Sequence, residues 1–248
     1  MVVGGIAVYL ELRIAACACM LAIAAILDLK NREIPDKVWA IFGGMGALIL
    51  ILELGDSSSP LRQGGSIPSF LIQYILGIAL MSAIGYATYK TGLFGGADPK
   101  ALIAIAVILP VFDSAFKIHD FTALSVLSNA LIVSMSGMLY NIVRNTISVT
   151  RGIPIFEGIA ENRIKKALAF TVGFYSNSSG KFLFAMEEHD EEGRKKFRFN
   201  PSSYDEFETE SRKRWVTQAL PFILYIGIGF VVMLFVGDLF ALLVSLMF

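Results

Sequence analysis

The sequence predicts an all-α polytopic membrane protein, with six transmembrane helices and a small, cytoplasmic, mainly-β insertion before the last helix. Hydrophobic residues make up 55% of the 248 residues, and the mean hydropathy is +0.65. A soluble domain of this size needs fewer apolar residues for its core. Apolar stretches recur near the roughly 20 residues that a bilayer-spanning helix requires. Only residues 145–214 form a long hydrophilic stretch.

Six apolar segments account for the predicted membrane helices. They comprise residues 6–27, 38–54, 67–88, 99–112, 121–142 and 216–247. No basic residue precedes the first segment, which favours a permanent helix over a cleaved signal peptide, and Arg13 is close enough to its outer end to snorkel. The fourth segment covers only about 20 Å of a hydrocarbon layer about 30 Å thick, so one end is expected to stop inside the membrane.

The predicted domain order follows from these segments. Residues 1–144 form a membrane domain with helices one to five, residues 145–214 form the soluble insertion, and residues 215–248 form the final transmembrane helix. The insertion itself contains runs that alternate apolar and polar residues. A turn-rich sequence separates two such runs, at 169–174 and 181–185, which predicts a β-hairpin.

Two further elements are predicted inside the insertion. An alternating run at 196–199 follows a charged turn and extends the hairpin into a small antiparallel sheet. Apolar residues at helical spacing predict a preceding helix over 159–168. Its basic residues suit an anionic membrane surface, and they equally suit a solvent-exposed helix.

Basic residues in the short connections predict the orientation in the membrane. One side carries five of them, Lys30, Arg32, Lys37, Lys90 and Lys100, and the other carries three, Arg13, Arg62 and Lys117. Because Lys and Arg accumulate in cytoplasmic loops, the richer side is predicted to be cytoplasmic. The insertion falls on that side, and both chain termini are predicted to lie outside.

Composition also argues against several other classes of protein. Lys and Arg together number 21, as do Asp and Glu, so no basic excess points to nucleic acid. Cys17 and Cys19 are separated by one residue, a spacing that excludes a paired CxxC zinc site and suits no disulfide framework. The two histidines, His119 and His189, are far apart on opposite predicted sides. We expect no structural metal.

Two aspartates at the polar edges of apolar segments, Asp28 and Asp98, are the best indication of function. A carboxylate is costly near hydrocarbon, so a functional role is the default hypothesis. Two carboxylates that share one proton provide an acid and a base, as in aspartic proteases. Singly, Asp98 before Pro99 fits a helix N-cap and Asp28 fits a membrane-edge charge. Together, on one predicted face, they favour catalysis.

The segment around Asp98 resembles the name-giving motif of the GxGD membrane aspartyl proteases, and specifically of the archaeal preflagellin and type IV prepilin peptidases. Gly95, Gly96, Asp98 and Lys100 occupy positions of that motif, whereas Ala97 replaces its second glycine. Alanine is small enough to preserve close approach, but a positive φ at this position would be strained.

The connection after the first helix resembles the other catalytic segment of the same family. Asp28 precedes a short cytoplasmic connection in which basic Arg32 stands before Ile34 and Pro35. The resemblance covers most of the chain and implies that Asp28 and Asp98 are the catalytic pair. It also implies a soluble insertion before the last helix.

The resemblance implies a membrane aspartic endopeptidase that acts on archaellin or type IV pilin-like precursors. Such an enzyme removes a short basic leader, a class III signal peptide, at the cytoplasmic membrane face without a cofactor. No methyltransferase activity is expected, because the chain has no paired CxxC element. Precursor proteins and membrane lipids are the expected partners, and nucleic acid is not.

Weaker site assignments concern residues beside the two aspartates. Glu33 and Asp36 would attract the basic leader, although ordinary surface charge explains them equally well. Gly95 and Gly96 would let the substrate backbone approach closely. Lys100 would either favour the ionised form of Asp98 or snorkel to lipid phosphates.

Two other functional classes remain open from the sequence. Carboxylates on a short membrane helix are also typical of an ion- or proton-coupled transporter. A transporter would lose substrate flux when Asp98 is neutralised and would not process precursor proteins. A membrane scaffold that uses the insertion for docking would tolerate Asp28→Asn and Asp98→Asn.

Overall fold

The computed structural model describes residues 3–57, 59, 67–92, 95–176, 183–189, 192–199, 213–218 and 221–247. The chain divides into two compact units. We call Met1–Val133 with Pro221–Phe248 the helical unit, and Ser134–Leu220 the insertion unit.

Within the described residues, six helices are followed along the chain by five short strands and then by two more helices. The helices are α1 (Val3–Asn31), α2 (Asp36–Gly55), α3 (Ile67–Lys90), α4 (Ala97–Ile108), α5 (Thr122–Thr150), α6 (Arg163–Val172), α7 (Phe222–Phe235) and α8 (Leu239–Met247). The strands are β1 (Phe174–Ser176), β2 (Leu183–Ala185), β3 (Glu187–His189), β4 (Lys195–Phe197) and β5 (Arg214–Gln218).

In the part of the chain that the structure describes, four helices are long and apolar enough to cross a membrane: α1 over Val8–Asn31, α2, α3 and α5. Many of their large apolar side chains face outward, and Ile41, Ile51 and Ile75 are each more than 60% exposed. Lipid is the environment that covers such side chains favourably. The chain is therefore a multi-pass membrane protein built mostly of helices, and four of the six predicted spans meet these criteria of length and composition.

The short helix α4 lies at the centre of the helical unit. It contacts α1, α2, α3 and α7, and the side chains of Leu102, Ile105 and Ile108 are completely buried. Its 12 residues correspond to about 18 Å of helix, too short to cross the hydrocarbon layer. The expectation of a short fourth helix is confirmed, and its last carbonyls end among packed side chains.

Two polar side chains satisfy the carbonyl groups at the end of α4. Arg13 donates from Nη1 to the Ile108 carbonyl oxygen at 2.6 Å, and the Tyr74 hydroxyl donates to the Val107 carbonyl oxygen at 3.2 Å. Arg13 also forms an ion pair with Glu53 at 2.8 Å. Only 4% of Arg13 is exposed, so the expectation that its side chain snorkels outward is wrong. It completes a buried helix end instead.

The segment predicted as one final helix over 216–247 is interrupted in the structure. Residues 214–218 form strand β5, and α7 and α8 are separate helices. At the break, Gly237 has a φ of +103°, and the buried Asp238 carboxylate accepts hydrogen bonds from the amide of Phe240 and the hydroxyl of Ser128. Asp238 thereby caps α8, so a new helix begins where the apolar composition alone predicts continuity.

The predicted β-hairpin in the insertion unit is wrong, because its two strands do not pair with each other. Strands β1 and β2 both pair antiparallel with β5 in the order β1-β5-β2, and β3 pairs with β4. Most of the run 169–174 belongs to α6, which begins four residues later than the predicted helix over 159–168. Trp215 of β5 is fully buried and stacks against Phe156, a non-local contact that places β5 centrally.

Asn145 connects α5 to the rest of the insertion unit. Its side chain is completely buried and makes three hydrogen bonds. Nδ2 donates to the carbonyl oxygens of Phe170 at 2.9 Å and Gly173 at 2.8 Å, and Oδ1 accepts from the Tyr175 amide at 3.3 Å. The asparagine therefore holds the end of α6 and the start of β1 against α5.

We expect Asn145→Ala to destabilise the insertion unit by about 3 kcal/mol, because it leaves three backbone groups without their partner. Thermal unfolding of the full-length protein in detergent measures the loss. Asn141→Ala is the matched control, since Asn141 makes one such bond, to the Thr171 carbonyl oxygen at 3.2 Å, and its loss should cost about 1 kcal/mol. Equal losses in the two variants would contradict the assigned role of Asn145.

Candidate functional site

Asp28 lies in the last turn of α1, and its side chain is 14% exposed. Arg32 follows the end of the helix with a φ of +59°, the left-handed conformation that often ends helices. The Arg32 amide donates to the Asp28 carbonyl oxygen at 3.0 Å. This turn folds the Arg32 side chain back, so that Nη1 lies 3.5 Å from Asp28 Oδ2.

Asp98 lies in the first turn of α4 and is 8% exposed. The Gly95 amide donates to its Oδ2 at 2.9 Å, and the Asp98 amide donates to the Gly95 carbonyl oxygen at 3.3 Å. The N-cap residue of α4 is Gly96, so Asp98 is not the helix N-cap that its position before Pro99 suggested. Its carboxylate is held by the loop that precedes the helix.

The replacement of the motif's second glycine by Ala97 causes no backbone strain. Among the described non-glycine residues, Arg32 alone has a positive φ, and Ala97 forms the first residue of α4. Alanine adopts this conformation readily. The departure from the motif therefore leaves the geometry around Asp98 intact.

The structure brings the two predicted aspartates together with Arg32. Helices α1 and α4 contact each other, and the charges of Asp28 and Arg32 both act electrostatically on the Asp98 carboxyl group. We call Asp28, Arg32 and Asp98 the acidic cluster. Two carboxyl groups in one partly buried site, with a single guanidinium beside them, form an arrangement that can hold and transfer a proton.

The other predicted site residues surround a cavity next to this cluster. The cavity measures about 560 Å³, and its lining includes Arg32, Glu33, Asp36, Gly96 and Lys100. Gly95 contributes its amide to Asp98 instead. Polar groups of both signs line a space large enough for an extended peptide segment to enter.

Lys100 has a different partner from either one expected from the sequence. Its Nζ lies 2.6 Å from Asp36 Oδ1, and both side chains are well exposed, at 47% and 79% respectively. Arg32, rather than Lys100, is the cation that acts on Asp98. From the sequence, Arg32 is a residue of the family motif without a catalytic role, although a spacing of four residues from Asp28 at a helix end is typical of an ion pair.

The chain is similar to a family of peptidases and to three individual preflagellin peptidases. Residues 15–142 match the type IV leader peptidase family, and this region contains both aspartates. Three preflagellin peptidases are similar over 88% of the chain and over 91–92% of their own lengths. They come from Methanococcus maripaludis, with 26% identity over 237 residues, Methanococcus voltae, with 25% over 234, and Methanocaldococcus jannaschii, with 26% over 234.

Proposed function

Because the chain belongs to the type IV leader peptidase family, we propose that it is an aspartic endopeptidase of the GxGD type. Its substrates are archaellin or type IV pilin-like precursors, from which it removes a short basic leader. Similarity to three preflagellin peptidases supports this substrate class. The observation that carries the aspartic mechanism is the acidic cluster itself, in which the contacting helices α1 and α4 hold Asp28, paired with Arg32, and the buried Asp98.

Asp28 and Asp98 share one proton in the proposed mechanism. The ionised carboxylate takes a proton from water, and the resulting hydroxide attacks the scissile carbonyl carbon while the protonated carboxyl group donates to the carbonyl oxygen. A tetrahedral diol results. As it collapses, the peptide C–N bond breaks, one hydroxyl proton returns to the pair, and the pair protonates the leaving amine. No cofactor takes part.

Arg32 balances the charge of the pair in this scheme. Two carboxyl groups that share one proton carry one negative charge, and the guanidinium of Arg32 carries one positive charge. The acidic cluster is then neutral as a whole, which lowers the cost of partial burial. The 3.5 Å separation between Arg32 and Asp28 leaves room for Arg32 to move when a substrate enters.

The leader of the precursor would occupy the cavity beside the cluster. Glu33 and Asp36 line it and would attract basic leader residues, in competition with the Lys100 ion pair to Asp36. Gly96 also lines the cavity, and no heavy atom lies within 4 Å of the place where its Cβ would be. The substrate backbone could therefore approach closely at this point.

The proposed topology has six membrane segments with the acidic cluster on the cytoplasmic side and both termini outside. In this topology α1, α2, α3 and α5 cross the membrane, for which they are long and apolar enough, α4 stops inside it, and α7 with α8 forms the last segment. The excess of basic residues beside both aspartates supports this orientation. The insertion is then cytoplasmic, and methyltransferase activity is not expected.

The transporter alternative has no support in the comparisons, because the matched family and the three relatives are all peptidases. A scaffold role likewise gives no reason for a pair of carboxyl groups with a neutralising arginine at a helix junction. A peptidase function accounts both for the similarity to known peptidases and for the pair of carboxyl groups beside Arg32.

Cleavage of a membrane-embedded preflagellin by the purified full-length protein tests the proposal. We expect a size shift, and sequencing of the new N-terminus should place the cut at the end of the basic leader. A chelator should leave the rate unchanged. A precursor whose basic leader residues are replaced by glutamate should be cut more slowly. Failure to cut any of several archaellin and pilin precursors would refute the assignment.

Close packing at Gly85 of α3 provides a second test, because it positions α4 at Asp98. A Cβ atom at Gly85 would lie 2.8 Å from the Pro99 Cβ. We expect Gly85→Ala to displace Pro99 and the adjacent Asp98, and to slow cleavage by on the order of 10–100-fold.

The rate constant for precursor cleavage measures the effect of Gly85→Ala. Gly44→Ala is the matched control within a helix, since nothing lies within 4 Å of its added Cβ, and it should keep near wild-type activity. An unchanged rate in Gly85→Ala would show that this contact does not position the catalytic helix.

A further inference from the structure

The C-terminal end of α5 carries two arginines on one side, beside strand β1 and remote in sequence from the acidic cluster: Arg144 in its last turns and Arg151 directly after its last residue. Tyr140, Arg144, Ile147 and Arg151 recur at helical spacing. Together with Tyr175 and Ser176 they line a cavity of about 430 Å³. All of these residues belong to the insertion unit. The proposed peptidase reaction uses none of them.

The Arg144 side chain is held in place by the protein. Its guanidinium carbon lies 3.9 Å from the centre of the Phe174 ring, and Nη2 donates to Ser176 Oγ at 3.3 Å. A guanidinium group has five N–H donors, so donors remain for a ligand. Its planar fork matches the oxygens of a phosphate group.

No carboxylate neutralises the two arginines in the part of the chain that the structure describes. The ion pairs found there involve neither Arg144 nor Arg151. Arg151 is exposed, whereas Arg144 is partly buried against β1. Two positive charges of this kind at one cavity favour an anionic ligand.

The surroundings of the cavity point to a lipid rather than to a free anion. Helix α5 is long and apolar enough to cross a membrane, with Arg144 in its last turns and Arg151 directly after its end. Tyr140, Val143 and Ile147 are 60%, 57% and 44% exposed. Exposed apolar side chains beside tyrosines and arginines are typical of the boundary between acyl chains and headgroups.

We propose that this cavity binds the phosphate headgroup of an anionic membrane lipid. Arg144 and Arg151 donate hydrogen bonds to the phosphate oxygens, and Val143 and Ile147 contact the adjoining acyl chain. The site gives the insertion unit a specific lipid ligand and fixes the depth of its helix in the membrane. It is independent of the peptidase proposal, because its test measures binding alone.

Binding of short-chain phosphatidylglycerol to the purified full-length protein in a neutral detergent tests this proposal, with phosphatidylcholine and inorganic phosphate as comparison ligands. We expect Arg151→Gln to weaken phosphatidylglycerol binding by about tenfold, which corresponds to the loss of one charge-assisted contact. Arg144→Gln should weaken it at least as much. Wild type should prefer phosphatidylglycerol to both comparison ligands.

Arg163→Gln is the control for a general loss of charge, since Arg163 is an exposed residue of α6 outside the cavity. It should leave lipid binding unchanged. Thermal unfolding checks that the variants fold, and Arg151→Gln avoids the packing of Arg144 on Phe174. Equal weakening by Arg163→Gln would overturn the proposal in favour of diffuse attraction. Wild-type affinity in Arg151→Gln and Arg144→Gln, or inorganic phosphate binding as tightly as the lipid, would also overturn it.

Discussion

Asp28→Asn and Asp98→Asn should each reduce the rate of leader cleavage by about 1,000-fold or more, within the range that general acid–base groups contribute. Asparagine has nearly the same shape as aspartate but cannot accept, hold or return a proton. The two residues act as one unit in the proposed mechanism, so the double variant should be little slower than either single variant.

Single-turnover cleavage of a membrane-embedded precursor measures these rates, and unfolding temperatures establish that the variants are folded. Asp113→Asn is the matched control. Asp113 is an exposed residue whose side chain pairs with Lys117, and its change should leave the rate unaffected. Near wild-type cleavage by either Asp28→Asn or Asp98→Asn would exclude the aspartic mechanism.

Arg13→Met should have the largest effect on stability, a loss of about 3–5 kcal/mol. The substitution leaves the Glu53 carboxylate buried without its partner and removes the donor to the Ile108 carbonyl oxygen. Because that carbonyl belongs to the end of α4, the helix that carries Asp98, precursor cleavage should fall together with stability.

Unfolding temperature and precursor cleavage in detergent measure both consequences of Arg13→Met. The double variant Arg13→Met with Glu53→Met should recover part of the stability, since it removes the unpaired carboxylate. Glu11→Gln is the control on the same helix, because Glu11 is exposed, and it should behave as wild type. A fully stable Arg13→Met variant would show that the buried ion pair is dispensable.

The Arg13 contacts also explain how a helix as short as α4 is tolerated inside an apolar unit. The last carbonyl groups of a helix have no partner within it, and in a nonpolar environment each unsatisfied group is costly. Arg13 and Tyr74 supply donors from α1 and α3. Stability at this end of α4 and the position of Asp98 at its other end are consequently linked through one rigid helix.

The membrane class, the short helix α4 and the two aspartates beside apolar segments could all be predicted from the amino-acid sequence. Each of these depends on local properties, namely the length of an apolar run, the cost of a charge beside it, and a motif of adjacent residues. Gly95 and Asp98, for example, are three residues apart and form a hydrogen bond. Residues this close in sequence can be recognised as parts of one site from their spacing.

Contacts between groups that are distant in sequence became visible in the three-dimensional fold. The pairing of Arg13 with Glu53, the central position of β5 between β1 and β2, and the joint action of Asp28 and Arg32 on Asp98 are contacts between separate elements. Mean hydropathy is high on both sides of Gly237, so it predicts one continuous helix there. An alternating run of apolar and polar residues predicts a strand but does not identify the strand with which it pairs. These features depend on packing in three dimensions, where a buried charge, carbonyl or strand edge must find a partner that sequence spacing does not identify.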